Sequence, residues 1–424
     1  MVAPPYLPTS PLLVTYQIPF LSLLNIVALA IGPKFQIFRV AFSLPILIVL
    51  ILQSLAREWD GGWGVHYAIN CAALMIVFQY VDWVLLASPD TEGWHRLGAV
   101  DGPKRSTKAR DDAVKDNGKM NCQAKRSGEA TALVPQGFWR RFWWGMRLMF
   151  ASTRYVRWSC QVKNVPMMEV HSTYPRMVFL ARRTFRLAIF YLLKDALYSY
   201  TASSPHGSWQ DIKHQKGVVG FSGYPWAYRM NFAWAHILLT YMSLEFAASA
   251  FSIVCVATGL SNPSDCPPGF GHVKHLFSLR KAWSVVWHQQ CRRIASTPGI
   301  WLARDVMHLR KGSFASKYLQ LFVAFGISAI VHAGGSMLTH GTFNGDASFA
   351  LFMLQAVIIM IEDHVIDFGK KLGLKDARYW RVLGFVWTVF ILGATIERWV
   401  GHCLEHGMWI HYREMDWFGI GPQM

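Results

Sequence analysis

Residues 272–338 include two contrasting segments, HVKHLFSLRKAWSVVWHQQCRR (272–293) and YLQLFVAFGISAIVHAGGSML (318–338). The first segment is basic and rich in tryptophan, and it carries too many charges to cross a bilayer. The second segment is apolar and has the length of a spanning helix, which needs about 20 largely apolar residues. Its one histidine, His332, lies among small and apolar residues. Because an ionisable group inside a membrane is costly, His332 is a candidate for function.

The composition of the whole chain is that of a membrane protein. Hydrophobic residues make up 53% of its 424 residues and charged residues only 16%, and the mean hydropathy is +0.22. These values predict an all-α integral membrane protein that forms a single polytopic domain over residues 1–424. The apolar runs predict about eight transmembrane helices, at residues 12–31, 36–55, 65–87, 185–200, 232–260, 318–338, 347–367 and 380–399.

Positive charge is unevenly distributed along the chain. The formal net charge is +17, and lysine and arginine concentrate in the segments 88–184, 261–317 and 368–379. Since loops rich in these residues stay on the cytosolic side, we expect the N-terminus on the luminal side. Cations in such loops contact anionic lipid or a phosphorylated substrate. The expected partner of this charge is therefore the lipid bilayer or a phosphorylated ligand, and no nucleic acid.

The sequence predicts neither a disulfide framework nor a metal site. The seven cysteines are scattered without a Cys-x-x-Cys pair, which argues against a structural zinc site. One polar cluster at the end of the seventh predicted helix contains ligand-type residues, but no second ligand group accompanies it. Its expected role is polar packing at the helix end or a part of the chamber wall. The members of this cluster are Glu362, Asp363, His364 and Asp367.

Three segments outside the spans have distinct patterns. Residues 98–130 are polar, rich in glycine and lysine and without a hydrophobic period, so we expect a disordered loop. In GFWRRFWWGMRLMFASTRYVRW (137–158), aromatic residues alternate with arginine at helical spacing, which is typical of a helix in the membrane interface. A second interfacial helix is expected at 276–294. Such helices also occur as anchors without chemistry.

As a helix, residues 276–293 would have an apolar face and basic flanks. His288 and the cations Arg280, Lys281 and Arg292 lie on those flanks, where cations can bind phosphate. Two interpretations follow, an amphipathic anchor or a surface for a phosphorylated ligand. The apolar stripe comprises Leu276, Leu279, Trp283, Val286, Trp287 and Gln290.

Two interpretations also apply to His332. It is either a neutral side chain that bonds to a neighbouring helix, or a general base toward an alcohol in a low-dielectric chamber. Ser328 lies one turn before it, and Gly334 and Gly335 follow it and permit close approach of a helix or a substrate. Glu245, in the fifth predicted helix, is expected to form hydrogen bonds between helices, and it is deep enough to line a cavity.

The segment SLRKAWSVVWHQ (278–289), paired with Ser328-x-x-x-His332 in a downstream membrane helix, resembles the membrane-bound O-acyltransferase superfamily. The resemblance is strongest to its wax-synthase branch, and within that branch to fungal enzymes that acetylate terpenoid and meroterpenoid alcohols. It implies that His332 is the catalytic histidine and that His288 occupies the second active-site position. It also implies a catalytic segment at 272–340 beside an intramembrane reaction chamber.

The resemblance implies further roles for the residues around the two histidines. His288 or Gln289 would donate a hydrogen bond to the oxyanion of the reacting thioester. The chamber would be lined by Trp283, Ser328, Gly334, Gly335 and Glu245. Acyl-CoA would be bound by Arg280, Lys281, Trp287, Gln289, Arg292 and Arg293.

The function that follows is transfer of an acetyl group from acetyl-CoA to a hydroxyl of a lipophilic terpenoid or meroterpenoid in secondary metabolism. We expect no permanently bound cofactor, and acetyl-CoA as co-substrate that enters from the cytosolic side of the endoplasmic reticulum membrane. Within the superfamily, the alternative is a long-chain wax-ester or sterol-ester synthase. A membrane transporter and a non-catalytic scaffold are alternatives from other classes.

Overall fold

The computed structural model describes residues 10–57, 63–97, 134–150, 153–166, 174–202, 223–341, 347–405 and 408–409. Within these residues the regular structure is helical, and the β-pairing is limited to an isolated bridge between Arg96 and Trp158. The predicted all-α class is therefore confirmed. The loop expected at 98–130 lies outside the described residues.

The helices follow the apolar runs of the sequence. The longer ones are α1 (Gln17–Ile31), α2 (Gln36–Leu52), α3 (Trp63–Tyr80), α4 (Phe138–Phe150), α5 (Arg176–Ala202), α6 (Trp226–Ala257), α7 (Arg292–Trp301), α8 (Phe314–His340), α9 (Ser348–Lys371) and α10 (Arg378–Glu405). Short helical pieces lie at Pro11–Thr15, Pro33–Phe35, Gln53–Ala56, Ser88–Thr91, Pro263–Asp265, Val273–His275 and Leu279–Lys281. Wider π-type turns lie at Val81–Leu85, Ala282–Val286 and Leu302–Val306.

Six helices of the described residues are long and apolar enough to cross a membrane. They are Pro33–Ala56, Gly64–Leu85, Trp226–Ala257, Phe314–Thr339, Ser348–Lys371 and Arg378–Glu405, and each coincides with a predicted span. The predicted spans at 12–31 and 185–200 are also helical, but α1 has only 15 residues and α5 contains Arg182, Arg183 and Arg186. The predicted count of eight is not confirmed.

The ends of the helices near the predicted site follow local chemistry. The Ser313 side chain accepts the N–H of Ser316 at 3.2 Å where α8 begins. Gly341, with φ of +81°, ends α8 in a conformation that favours glycine. Helix α6 ends before the proline-rich turn 261–270, in which Asn262 and Asp265 form a reciprocal capping box.

The aromatic and basic helix α4 is amphipathic, as predicted, and packs on α1. Trp144 is buried in this contact, and Arg141 donates to the main-chain carbonyl of Leu29 at 2.9 Å. On the opposite face Trp139 and Trp143 are 70% and 61% exposed. An interfacial helix presents such an aromatic face to lipid.

Helix α8, which carries His332, lies between other helices. It packs against α3 and α9, while α9 contacts α10 and α10 contacts α6. One buried apolar cluster joins α6, α9 and α10 to the segment 279–282, so the basic segment is packed into the helix bundle. Its members are Phe232, Ala233, Leu279, Ala282, Leu351, Ile359, Leu392, Ile396, Val400 and Leu404.

Candidate active site

His332 contacts residues of three neighbouring helices. Its Nδ1 atom lies 2.7 Å from the hydroxyl oxygen of Tyr67 on α3. The ring of Phe352 on α9 stacks on the imidazole with 4.6 Å between centroids, and the ring of Trp399 on α10 meets it edge-on at 6.5 Å. The bond to Tyr67 involves Nδ1, one of the two ring nitrogens.

Tyr67 reaches the imidazole because α3 and α8 approach closely at two glycines. A Cβ atom at Gly335 would overlap Sγ of Cys71, and one at Gly334 would lie 2.8 Å from Cδ1 of Leu74. Tyr67, Cys71 and Leu74 recur at helical spacing and share the face of α3 that meets α8. Of the two neighbours expected for these glycines, a helix or a substrate, the structure shows a helix, α3.

The second segment predicted as an interfacial helix is not continuous, contrary to that expectation. After one helical turn at Leu279–Lys281, the chain widens into the π-type turn Ala282–Val286. Trp287 is extended, with φ of −66° and ψ of 151°, and regular helix resumes only at Arg292. The break places His288 in a non-helical connection instead of on a helical flank.

Side-chain hydrogen bonds stabilise this break. The amide nitrogen of Gln289 donates to the main-chain carbonyls of Trp283 at 3.1 Å and Trp287 at 2.6 Å, which a broken helix leaves without helical partners. The amide oxygen of Gln289 accepts from Arg292 at 2.6 Å. Both the nitrogen and the oxygen of the Gln289 amide are therefore hydrogen-bonded within the segment.

Two carboxylates of α9 attach the start of the broken segment. Glu362 accepts the main-chain N–H groups of Leu279 at 2.8 Å and Arg280 at 3.1 Å. Asp363 accepts two bonds from the Arg280 guanidinium, at 2.7 and 2.6 Å, and pairs with Lys317 at 2.6 Å. For these two residues the predicted polar packing is confirmed. In the described part of the chain, no group of three His, Cys, Asp or Glu side chains is placed to hold a metal ion.

A segment that follows α4 also packs on the break. The hydroxyl of Thr153 donates to the side-chain oxygen of Gln290 at 2.7 Å. The amide nitrogen of Asn164 donates to the main-chain carbonyl of Ser284 at 2.9 Å. Sequence reasoning did not identify these contacts, because the segment has no motif and joins a helix that resembled a surface anchor.

His288 lies at the break among aromatic rings. Its ring centroid is 5.7 Å from that of Phe270 and 5.5 Å from that of Trp287, and its Nδ1 is buried without a hydrogen-bond partner among the described residues. Burial, with smaller effects of His332 and Arg154, lowers the pKa of His288 to about 4. The ring is therefore neutral at physiological pH.

Three of the cations assigned to acyl-CoA differ in their accessibility. Lys281 is exposed. Arg280 is partly exposed, and its guanidinium is held by Asp363. Arg292 donates to the main-chain carbonyl of Ser284 at 2.8 Å as well as to Gln289, so its guanidinium supports the break.

The fourth cation, Arg293, is buried. Its guanidinium pairs with Asp82 at 3.1 Å and Glu92 at 2.9 Å, and lies 4.7 Å from the ring centroid of Trp94. A buried charge requires such partners. In this arrangement Arg293 connects α7 to the end of α3.

Two residues predicted to line the chamber lie close to the helices around His332. The ring of Trp283 is 5.9 Å from that of Phe352, which stacks on His332, and its Nε1 donates to Gln355 at 3.2 Å. The hydroxyl of Ser328 donates to a main-chain carbonyl within α8 at 3.2 Å. Trp283 thus connects the broken segment to the histidine through one aromatic ring.

Glu245, also predicted to line the chamber, is fully buried and bonded. It pairs with Arg186 at 2.7 Å and accepts the main-chain N–H of Gly269 at 2.9 Å. These bonds join α5 and α6 to the loop that precedes Phe270. Through Phe270, the loop contacts His288.

Sequence reasoning did not identify Tyr67, Phe352 or Trp399, which surround His332. Aromatic residues make up 14% of the chain, and nothing in the local sequence distinguishes these three from the others. Helical periodicity indicates which residues share a face but not which helix that face meets.

Sequence comparisons identify relatives of the chain. The profile of the Membrane bound O-acyl transferase family matches residues 266–354, a range that includes both histidines. Acetyltransferase sirH of Leptosphaeria maculans is 45% identical over 400 residues, which are 94% of this chain and 93% of that protein. Acetyltransferase ple2 of Rhodocybe pseudopiperita is 33% identical over 59% of this chain and 63% of its own. Acetyltransferase eriL of Hericium erinaceus is 28% identical over 67% of this chain and 72% of its own. No solved structure matches the chain.

The similarity to sirH extends through nearly the whole chain, and the match to the family profile includes the broken segment and the whole of α8. The activity of this family implies acyl-CoA as co-substrate and a hydroxyl group as acceptor. With its apolar helices, the protein is an integral membrane acyltransferase that belongs to the Membrane bound O-acyl transferase family.

Proposed function

We propose that this enzyme transfers an acetyl group from acetyl-CoA to a hydroxyl of a lipophilic terpenoid or meroterpenoid in secondary metabolism, with His332 as general base. The observation that carries the proposal is the His332 ring, which contacts Tyr67 and Phe352. Phe352 in turn contacts Trp283 of the segment that carries His288. The acetyl donor is supported by the relatives, which are named acetyltransferases. The resemblance to enzymes of secondary metabolism supports the choice of acceptor.

In the proposed reaction, the hydroxyl oxygen of the acceptor attacks the thioester carbonyl carbon while its proton passes to Nε2 of His332. The carbonyl electron pair moves to oxygen and gives a tetrahedral oxyanion. When the carbonyl re-forms, the carbon–sulfur bond breaks and the leaving CoA thiolate takes the proton back from the imidazolium. The products are the ester and CoA. A positioned general base contributes about 10²–10⁴ in rate.

His288 is the proposed donor to the oxyanion. A neutral imidazole has one N–H to donate, and with a pKa of about 4 His288 does not compete with His332 for the proton. Gln289 is less suited to this role, since its amide nitrogen already donates to the carbonyls of Trp283 and Trp287. The acyl-CoA phosphates would meet cations such as Lys281 at the start of the broken segment.

The surroundings of His332 support an apolar acceptor and a site that excludes water. The rings of Trp283, Phe352 and Trp399 form part of its environment, and excluded water cannot compete with the alcohol for the acyl group. The basic segments 88–184 and 261–317 support entry of CoA from the cytosolic side of the endoplasmic reticulum membrane. We assign the chemistry to residues 272–340 of a single polytopic domain.

The test is acyl transfer by membranes that contain the full chain, with labelled acetyl-CoA and labelled palmitoyl-CoA. The acceptors are hydroxylated terpenoids, sterols and fatty alcohols. His332→Ala is compared with His364→Ala, because His364 is an exposed histidine on α9. Both variants are assayed at matched abundance.

Acetyl transfer to a terpenoid that is lost in His332→Ala and kept in His364→Ala supports the proposal. Preferential transfer of palmitate to fatty alcohols or sterols would replace it with the wax-ester or sterol-ester alternative. Activity that survives in His332→Ala would exclude His332 as the base.

A further inference from the structure

We propose that Tyr67 is a positioning residue for His332, and that its hydroxyl oxygen accepts the Nδ1–H hydrogen of the imidazole. This bond keeps the hydrogen on Nδ1, so that Nε2 carries the lone pair that takes the proton of the acceptor alcohol. The inference rests on the proposed role of His332 as general base. It adds a residue of α3 to a site otherwise assigned to residues 272–340.

The geometry defines how the hydroxyl is held. The Tyr67 oxygen lies 2.7 Å from Nδ1 of His332, which is within the range of a good hydrogen bond. The Tyr67 side chain is 8% exposed and packs with Cys403 and Met408 near the end of α10. Because its ring is buried, the hydroxyl approaches the imidazole from a defined direction.

Aromatic packing alone does not orient the imidazole completely. The Phe352 ring stacks on His332 at an interplanar angle of 17°, which restrains the plane of the imidazole. A rotation of the ring by half a turn keeps the same plane but exchanges Nδ1 with a carbon atom. A directional partner such as the Tyr67 hydroxyl distinguishes the two orientations.

The proposed direction of this hydrogen bond also fixes the tautomer, because a phenol hydroxyl can donate or accept and only its acceptance places the hydrogen on Nδ1. A neutral imidazole has one N–H, and the bond made by one ring nitrogen decides which nitrogen carries it. A base at Nε2 requires the hydrogen on Nδ1, with the phenol oxygen as acceptor. Without that acceptor, the tautomer with hydrogen on Nε2 becomes populated, and the ring loses the lone pair that the reaction needs.

The test is Tyr67→Phe in the full chain, which removes only the hydroxyl. Tyr80→Phe is the matched control, because Tyr80 lies in the same helix, is 1% exposed and also makes a hydrogen bond, 2.8 Å to Ser43. We expect kcat of Tyr67→Phe to fall about 10–100-fold, with KM for acetyl-CoA and for the acceptor unchanged. Tyr80→Phe should lose comparable thermal stability and keep its kcat.

The possible outcomes distinguish the role of Tyr67 from that of His332. A normal kcat in Tyr67→Phe, while His332→Ala is inactive, would overturn the role of Tyr67 and leave the proposed base in place. An equal loss of kcat in the two phenylalanine variants would show that the hydroxyl acts only through stability. Activity that survives in His332→Ala would overturn the proposed base and the inference for Tyr67 with it.

Discussion

The carboxylate of Glu362 accepts the main-chain N–H of Leu279 at 2.8 Å, across 83 positions of sequence. Its second oxygen accepts the N–H of Arg280 at 3.1 Å. An ionised carboxylate is a strong acceptor for the N–H groups at the start of a helical turn. A membrane helix thus determines where the broken segment that carries His288 begins.

Replacing Glu362 should therefore weaken both stability and catalysis. Glu362→Ala leaves the N–H groups of Leu279 and Arg280 without their acceptor, and an unpaired buried donor costs about 1–3 kcal/mol. We expect a lower thermal unfolding temperature in detergent and a lower kcat for acyl transfer. Asp367→Ala is the control, since that carboxylate is on the same helix but is 59% exposed. A Glu362→Ala protein that matches the control in both measurements would contradict this prediction.

The glycine contact between α3 and α8 should be required for activity. In Gly335→Ala the new methyl group overlaps Sγ of Cys71 and lies 3.3 Å from the main-chain nitrogen of the same residue. We therefore expect a shift of α3, which moves Tyr67 relative to the imidazole. We expect a loss of kcat, measured as acetyl transfer per molecule of folded enzyme.

Two comparisons test this explanation for Gly335. Gly326→Ala, in the same helix, should be tolerated because the added Cβ would lie 3.9 Å from Sδ of Met353, an ordinary contact distance, and alanine favours helix more than glycine does. Adding Cys71→Ala should restore part of the activity of Gly335→Ala, because it removes the overlapping sulfur. Equal effects of the two glycine substitutions would rule out the contact with Cys71 as the cause.

Lys281 and Arg293 should respond differently to substitution, although the sequence assigned both to acyl-CoA. Lys281→Ala should raise KM for acetyl-CoA several-fold without changing thermal stability, because an exposed cation can meet phosphate. Arg293→Ala leaves Asp82 as an unpaired buried charge, which costs about 3–5 kcal/mol, so we expect a large loss of folded protein.

The control for Lys281 is Lys311→Ala, another exposed lysine between α6 and α8. Substrate titrations of folded enzyme separate KM from abundance. If Arg293→Ala folded normally and only raised KM, the buried ion pairs would not have the structural role inferred for them.

The stability of the protein should fall in mild acid through His288. Its pKa is about 4 in the folded protein and about 6.5 for an ordinary histidine. Between these values the unfolded chain binds the additional proton, so the contribution of His288 to stability is complete above about pH 6.5 and is lost as pH falls toward 4. We expect a lower thermal unfolding temperature at about pH 5 than at about pH 7.5.

His288→Asn removes this titration and provides the comparison. Its unfolding temperature should change less between the two pH values than that of the unmodified protein. The same pH dependence in both proteins would assign the acid sensitivity to other groups.

Much of the fold was predictable because a membrane restricts what a chain can form. Apolar runs of sufficient length must be helical, since main-chain polar groups find no water in the bilayer core. The predicted spans that match apolar helices follow from this rule. The two others, at 12–31 and 185–200, show where composition alone is insufficient, since one helix is short and the other carries arginines.

The broken segment shows why a helical pattern can mislead. Residues 276–293 have helical periodicity, yet the chain leaves the helix at Trp287. The bonds of Gln289 to two carbonyls and of Glu362 to two N–H groups stabilise a different path. Some of these partners are distant in sequence, and periodicity describes only neighbouring residues.

By itself, the sequence determined the helical membrane class, the polar packing of Glu362 and Asp363, and the candidacy of His332, because each follows from the cost of polar groups in an apolar medium. The tertiary structure decided which residues surround His332. Tyr67 is 265 positions away in sequence, and it reaches the imidazole only because α3 and α8 approach closely at Gly334 and Gly335. Directional hydrogen bonds between distant helices depend on that approach, and the sequence pattern within one helix does not show which other helix will approach it.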